Sequence, residues 1–146
     1  MNDNHHPRPD QLPPIRTPRD LHARWRTLMG ELGFSDRTLW VTFLEPDGAM
    51  VPHIVQVAEL PTYPTAPNLD SLIEVCGREL DILGAGAAVA MLLSRPGHDV
   101  LTDADRAWGA GIAATARAHD VRAHPLHLAN DEAVRVLAPD DLIGAA

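Results

Sequence analysis

Apolar residues recur along this chain with two different periods, and the changes of period divide it into elements. Leu21, Trp25, Leu28, Met29 and Leu32 stand at i, i+4, i+7, i+8 and i+11, a single stripe on a helix. Just ahead of it, Thr17-Pro18-Arg19-Asp20 supplies an N-cap, a proline for the first helical position and an acid for the first turn. Gly33 is the expected left-handed stop, and Arg24 and Arg26 fall off the stripe. The period then shortens. Thr38–Leu44 is β-branched and aromatic, Met50–Glu59 is rich in valine and isoleucine, and Glu45-Pro46-Asp47-Gly48 between them has turn chemistry, so the three predict a β-hairpin. Pro61, Pro64 and Pro67 make 60–67 a crossing loop.

From Asn68 as N-cap, Leu69, Leu72, Ile73, Cys76, Leu80 and Leu83 return to helical spacing until Gly84. Cys76 is on the buried stripe, and with Glu74 and Glu79 nearby it reads as core rather than as a nucleophile. Ala87–Leu93 is a continuous apolar run, as expected of a strand covered on both faces. Gly84-Ala85-Gly86 follows a helix and precedes a strand, the reverse of a phosphate-binding loop. After a loop at Ser94–Leu101, Thr102 caps a third helix with Asp103 and Asp105 in its first turn. Trp108 and Ile112 face inward there, and Gly109 and Gly111 are expected to allow close approach to a sheet. Arg122–Leu128 and Glu132–Leu137, around a turn at Ala129-Asn130-Asp131, close the chain as two strands. The order helix, two strands, helix, strand, helix, two strands predicts an α/β domain with a mixed β-sheet flanked by helices.

Composition narrows this picture. The chain has 146 residues, 45% hydrophobic and 22% charged, the balance of one globular domain. Four prolines among polar residues set 1–16 apart as an expected flexible tail, leaving 17–146 as a single domain. One cysteine excludes an internal disulfide. The longest apolar run is well short of the roughly 20 residues that span a bilayer, and the N-terminus has no apolar signal region, so a cytoplasmic location is expected. The net charge of −8 repels phosphate backbones and acidic lipid, which argues against nucleic acid and membrane as partners. Every basic residue is arginine, a bias typical of GC-rich bacterial genomes.

Ligands of a sheet flanked by helices bind where a central strand ends and the next helix begins. Here that place is Leu93-Ser94-Arg95-Pro96-Gly97-His98-Asp99-Val100-Leu101-Thr102-Asp103-Ala104-Asp105. With its flanking elements, roughly 36–140, this stretch resembles the RadC-like branch of the JAB/MPN metalloprotease-fold family, whose motif is H-x-H-P, a short glycine-containing loop, then S-x-x-D opening a helix. The resemblance implies a JAB/MPN-like fold, with a cytidine-deaminase-like three-layer arrangement as the alternative. It places the two metal-binding histidines on Leu93 and Arg95, the proline on Pro96, the serine on Thr102 and the metal-binding aspartate on Asp105, with the upstream glutamate near Asp36 or Arg37. Only Pro96 and Asp105 match, and the spacing from Arg95 to Thr102 is one residue short. Leucine offers nothing to a metal, and arginine puts a permanent positive charge where a dication would sit. The expectation is therefore no metal, no cofactor and a catalytically inactive domain acting as a protein-interaction or scaffolding module, as a homodimer through an apolar patch or with a protein partner.

The competing reading is a small-anion or nucleotide-binding sensor, or a hydrolase, that reuses loop 94–105 through Arg95, His98, Thr102 and Asp105. Asp99, Asp103 and Asp105 oppose an anion there. Arg95 is expected instead to pair with Asp105 or Asp103 at the surface, so that its loss would cost about 1 kcal/mol or less. Other sites are weaker. His124 and His127 are i, i+3, spaced to point to opposite faces of a strand, and His53 and His98 have no local partner. Ser35, Ser71 and Ser94 have no assignable base, and His5-His6 sits in the tail.

Overall fold

A computed structural model describes residues 12–142, and it places the elements in the expected order. They are α1 (Pro18–Met29), β1 (Thr38–Leu44), β2 (Val55–Val57), α2 (Ala66–Leu83), β3 (Ala88–Ser94), α3 (Asp103–Ala118), β4 (His127–Ala129), β5 (Val134–Val136) and a closing 3₁₀ turn, Pro139–Leu142. The strands form one sheet in the order β2-β1-β3-β4-β5. Only β3 and β4 run parallel, joined through α3; the other pairings are antiparallel. The described residues are thus α/β with a five-stranded mixed sheet and three α-helices.

Both faces of the sheet are covered, and β3 shows it residue by residue. Val89, Met91 and Leu93 join Leu69, Ile73, Cys76, Trp108 and Ile112 beneath α2 and α3, whereas Ala90 and Leu92 join Leu21, Trp25 and Met29 beneath α1. Alternation at period two along a strand with no polar face is what produced the continuous apolar run. On the α1 side the strand residues Ala90 and Ala129 are small, which leaves room for the fully buried indole of Trp25. Cys76 is buried in the other core, which pushes its thiol up to about 11. No helix among the described residues is long and apolar enough to cross a membrane.

Several local expectations change. Helix α1 stops at Gly30, with φ 60°, rather than at Gly33. Arg24, off the expected stripe, is buried, and its Nη2 donates to the Pro13 carbonyl. That hydrogen bond bears on the expected tail: 1–11 lie outside the described residues, but Ile15 is buried and its amide donates to the Gly48 carbonyl (2.8 Å). One isoleucine among prolines is enough to seat 12–16 against the hairpin turn. Helix α2 begins at Thr65, not Asn68, because Pro67 lies in the first turn, where its missing N–H had no partner to lose. Gly109 and Gly111 approach other elements than the sheet. A side chain at Gly109 would meet Leu137 and Leu142, and one at Gly111 would meet Leu69 of α2.

The hairpin is broken in the middle. Met50 pairs with Leu44 and Val51 donates to Phe43, but Val55 pairs with Val41, so Pro52, His53 and Ile54 stand opposite the single residue Thr42. Proline cannot donate to the ladder, and the chain bulges out around it. The Thr42 hydroxyl closes the gap by donating to the His53 carbonyl (3.1 Å). The expected long strand is thereby reduced to three residues at the edge. The last two strands are short as well, with 122–126 contributing only an isolated bridge from Ala123 to Val89.

Candidate functional site

The C-terminal end of β3 turns directly into the loop before α3, so Arg95 leaves the sheet facing the first turn of that helix. Residues two apart on a strand share a face, which puts Leu93 and Arg95 on the side where α3 packs. Helix α3 starts with a reciprocal cap: the Asp105 amide donates to Thr102 Oγ1 and the Thr102 amide donates to Asp105 Oδ2, both at 3.1 Å. The cap fixes the Asp105 carboxylate against the strand end. Arg95 meets it through two parallel bonds, Nε to Oδ1 at 2.8 Å and Nη2 to Oδ2 at 2.7 Å.

This pair is inside the protein. Arg95 is 6% exposed and Asp105 0%. The expected surface pair is therefore corrected to a buried one, and Asp103 takes no part in it, its carboxylate meeting Arg106 in the exposed first turn. The remaining guanidinium donors go to the loop that follows. Nη1 donates to the carbonyls of Pro96 (3.0 Å) and His98 (3.4 Å), and Nη2 to that of Val100 (2.9 Å). Five hydrogen bonds match the five N–H groups of the side chain. Burial pushes the Asp105 carboxyl up, but the Arg95 guanidinium and the Thr102 amide outweigh it and hold the group below its usual range. The Asp105 hydrogen bond correspondingly raises Arg95.

The loop is in turn fastened to the β4–β5 turn. Gly97, at φ 107°, donates its amide to Asp131 Oδ2 (2.8 Å), and the Asp131 amide donates to the Gly97 carbonyl (3.0 Å). The amide of Asp99 donates to Glu132 Oε1 (2.6 Å), while its carboxylate accepts from Asn130 and pairs with Arg135. Backbone donors from Gly97 and Phe34 lower Asp131, and one from Asp99 lowers Glu132.

Of the four residues expected to bind a ligand, Arg95, Thr102 and Asp105 converge, and they bind each other. His98 does not join them. Its side chain is 86% exposed and lies 3.4 Å from Glu132, and only its carbonyl reaches Arg95. Near the expected position of the family's glutamate, Asp36 accepts from the Thr38 hydroxyl and Arg37 donates to the Thr62 carbonyl. Ser94 ends β3 instead of opening the loop; it is buried, accepts from Trp40 Nε1 and donates to the Thr38 carbonyl. Thus the positions where the resemblance puts metal ligands hold an apolar side chain, a saturated cation and a carboxylate engaged by that cation, a set that does not fit a divalent metal. Among the described residues no group of three or more His, Cys, Asp or Glu is placed to hold a metal ion.

Spacing alone does not mark out His127, yet the fold buries it. It is 2% exposed and its ring lies 5.5 Å from that of His22 on α1. Burial first, and then His22, push it down to about 4. His124, beside Arg122 ahead of β4, is lowered by burial and by that arginine.

No family model, curated protein or solved structure matches the chain.

Proposed function

We propose that this domain is a non-catalytic interaction module on a JAB/MPN-like scaffold, related to the RadC-like branch, whose former metal position has become a structural clasp. The observation that carries this reading is the saturation of Arg95. Its five donors hold one carboxylate and three carbonyls, so the helix end that a metal or an anion would use is closed by the protein's own groups. The order of elements and the place of Pro96 and Asp105 within it support the scaffold assignment. The charge of −8 favours a protein partner or a second copy over nucleic acid. The rival sensor or hydrolase would need donors that Arg95 no longer has.

The test is metal content and ligand response in protein purified without a tag. Zinc is expected far below one equivalent, and a chelator should leave the melting temperature unchanged, because only a ligand bound to the native state adds stability. Phosphate, nucleotides and small carboxylates should not raise it either. Stoichiometric zinc, or a thermal shift by an anion that disappears in Arg95→Ala, overturns the proposal.

A further inference from the structure

Helix α2 shields β1 and β3 but stops short of the sheet's margin, leaving a groove of about 470 Å³ between the helix and β2. Val55 and Val57 line one wall and Val75 lines the other. They are 53%, 41% and 57% exposed, and Ile82, two turns beyond Val75 on the same stripe, is 77% exposed. Three exposed large hydrophobics, Val55, Val57 and Val75, thus line one groove, next to an edge strand whose outer side meets no other strand among the described residues.

The sequence of that edge says what fits it. Residues 53 to 59 read His-Ile-Val-Gln-Val-Ala-Glu. Laid antiparallel against itself about Gln56, the strand Val55–Val57 sets Val55 opposite Val57 twice and Gln56 opposite Gln56. Each pairing is favourable, valine facing valine and amide facing amide with no charge at the seam. We propose that a second copy of this chain docks here, β2 against β2 about a two-fold axis at Gln56, joining two five-stranded sheets into one. This rests on the reading of the domain as an interaction module and names the partner.

The register places the hydrophobic residues correctly. Val55 and Val57 pair with Val41 and Leu39 of β1, so they share the face that α2 covers. A two-fold axis normal to the sheet keeps both α2 helices on that face, and the two grooves become one covered trough. Pro52 on one side and Glu59, at φ 57°, on the other bend the chain away and limit the seam to this segment. The opposite edge cannot do the same. Strand β5 reads Val134-Arg135-Val136, and self-pairing would set Arg135 against Arg135. With one self-complementary edge per copy the assembly closes at two.

Sedimentation of the full chain across micromolar to submillimolar concentration should show a monomer–dimer equilibrium. Gln56→Arg, which copies the β5 arrangement onto an exposed position, should weaken association at least about tenfold while circular dichroism stays unchanged. Val55→Lys, at an exposed position, should weaken it too, because it sets a charge in the apolar seam twice over. A monomer at every concentration, or a dimer indifferent to Gln56→Arg and Val55→Lys, overturns the seam. A monomeric, metal-free protein would leave the interaction-module reading standing with a different partner, whereas stoichiometric zinc would remove that reading and leave a self-pairing seam intact.

Discussion

The end of β3 and the edge of β2 lie in the same sheet, one strand apart, yet they resolve the same problem in opposite ways. At the end of β3 the chain buries a full positive charge and surrounds it with as many acceptors as it has donors. At β2 it leaves two valines half-exposed and the outer side of the strand unpaired among the described residues. The first arrangement leaves no capacity for a ligand and resists change, because breaking any of its hydrogen bonds strands part of a buried charge. The second contributes little to the monomer and is free to contribute to an assembly. A helix start beside a strand end is therefore weak evidence for a site until its donors have been counted.

The largest effect that tests this contrast is at Arg95. Arg95→Ala leaves the Asp105 carboxylate buried without its cation, so a loss of about 3–5 kcal/mol is expected in urea unfolding, well above the surface-pair value. Replacing both partners, as in Arg95→Met with Asp105→Leu, should recover much of that loss. If the double variant is no better than the single one, the three loop carbonyls matter more than the carboxylate.

Next in size is acid sensitivity from a buried base of the opposite kind. Burial holds His127 at a folded value of about 4, against an unfolded one of about 6.5. Between those values the unfolded chain binds a proton that the native protein refuses, so stability rises with pH there and falls on acidification. The total is about 3 kcal/mol, approached as pH drops from about 6.5 toward 4, and His124 acts in the same direction. His127→Phe should flatten most of the slope seen in melting curves between neutral pH and pH about 4.5. An unchanged slope would assign the acid sensitivity elsewhere.

The two capping boxes provide a smaller and more local comparison. Thr17 and Thr102 make the same reciprocal hydrogen bonds, to Asp20 and Asp105. Thr17→Ala should cost about 1 kcal/mol or less, because Asp20 is exposed and water can replace the hydroxyl. Thr102→Ala should cost up to about 2 kcal/mol, since Asp105 is buried and its position also fixes Arg95. Equal losses would mean that the α3 cap does not position the carboxylate.

Much of the fold was legible because it rests on side-chain pattern. Strands β1 and β3, the order of elements, both Thr-x-x-Asp caps and the core position of Cys76 follow from periodicity and capping chemistry. The failures share a cause in the backbone. Pro52 interrupts a valine-rich run that β-propensity reads as continuous, and Pro67 begins a helix where proline usually signals a loop. At the site, residue chemistry suggests that Arg95 meets Asp105 but not that the pair is buried. The carbonyls of Pro96, His98 and Val100 complete the clasp, and a carbonyl's direction leaves no mark on residue identity.

The smallest expected change in the monomer is at Gln56, and its smallness is what gives it value. Gln56 is exposed in a three-residue edge strand, and its side chain makes no hydrogen bond among the described residues. Gln56→Arg should therefore alter monomer stability by no more than about 0.5 kcal/mol, measured by urea unfolding at concentrations low enough to exclude association. At high concentration the parent should gain apparent stability with concentration, because dimerisation draws on the native state alone, and the variant should not. A large loss in the dilute variant would mean that β2 is integral to the monomer's core and not a free edge. Equal concentration dependence in both proteins would place association on another surface. Only a variant that is neutral when dilute and insensitive to concentration fits an edge held open for a second chain.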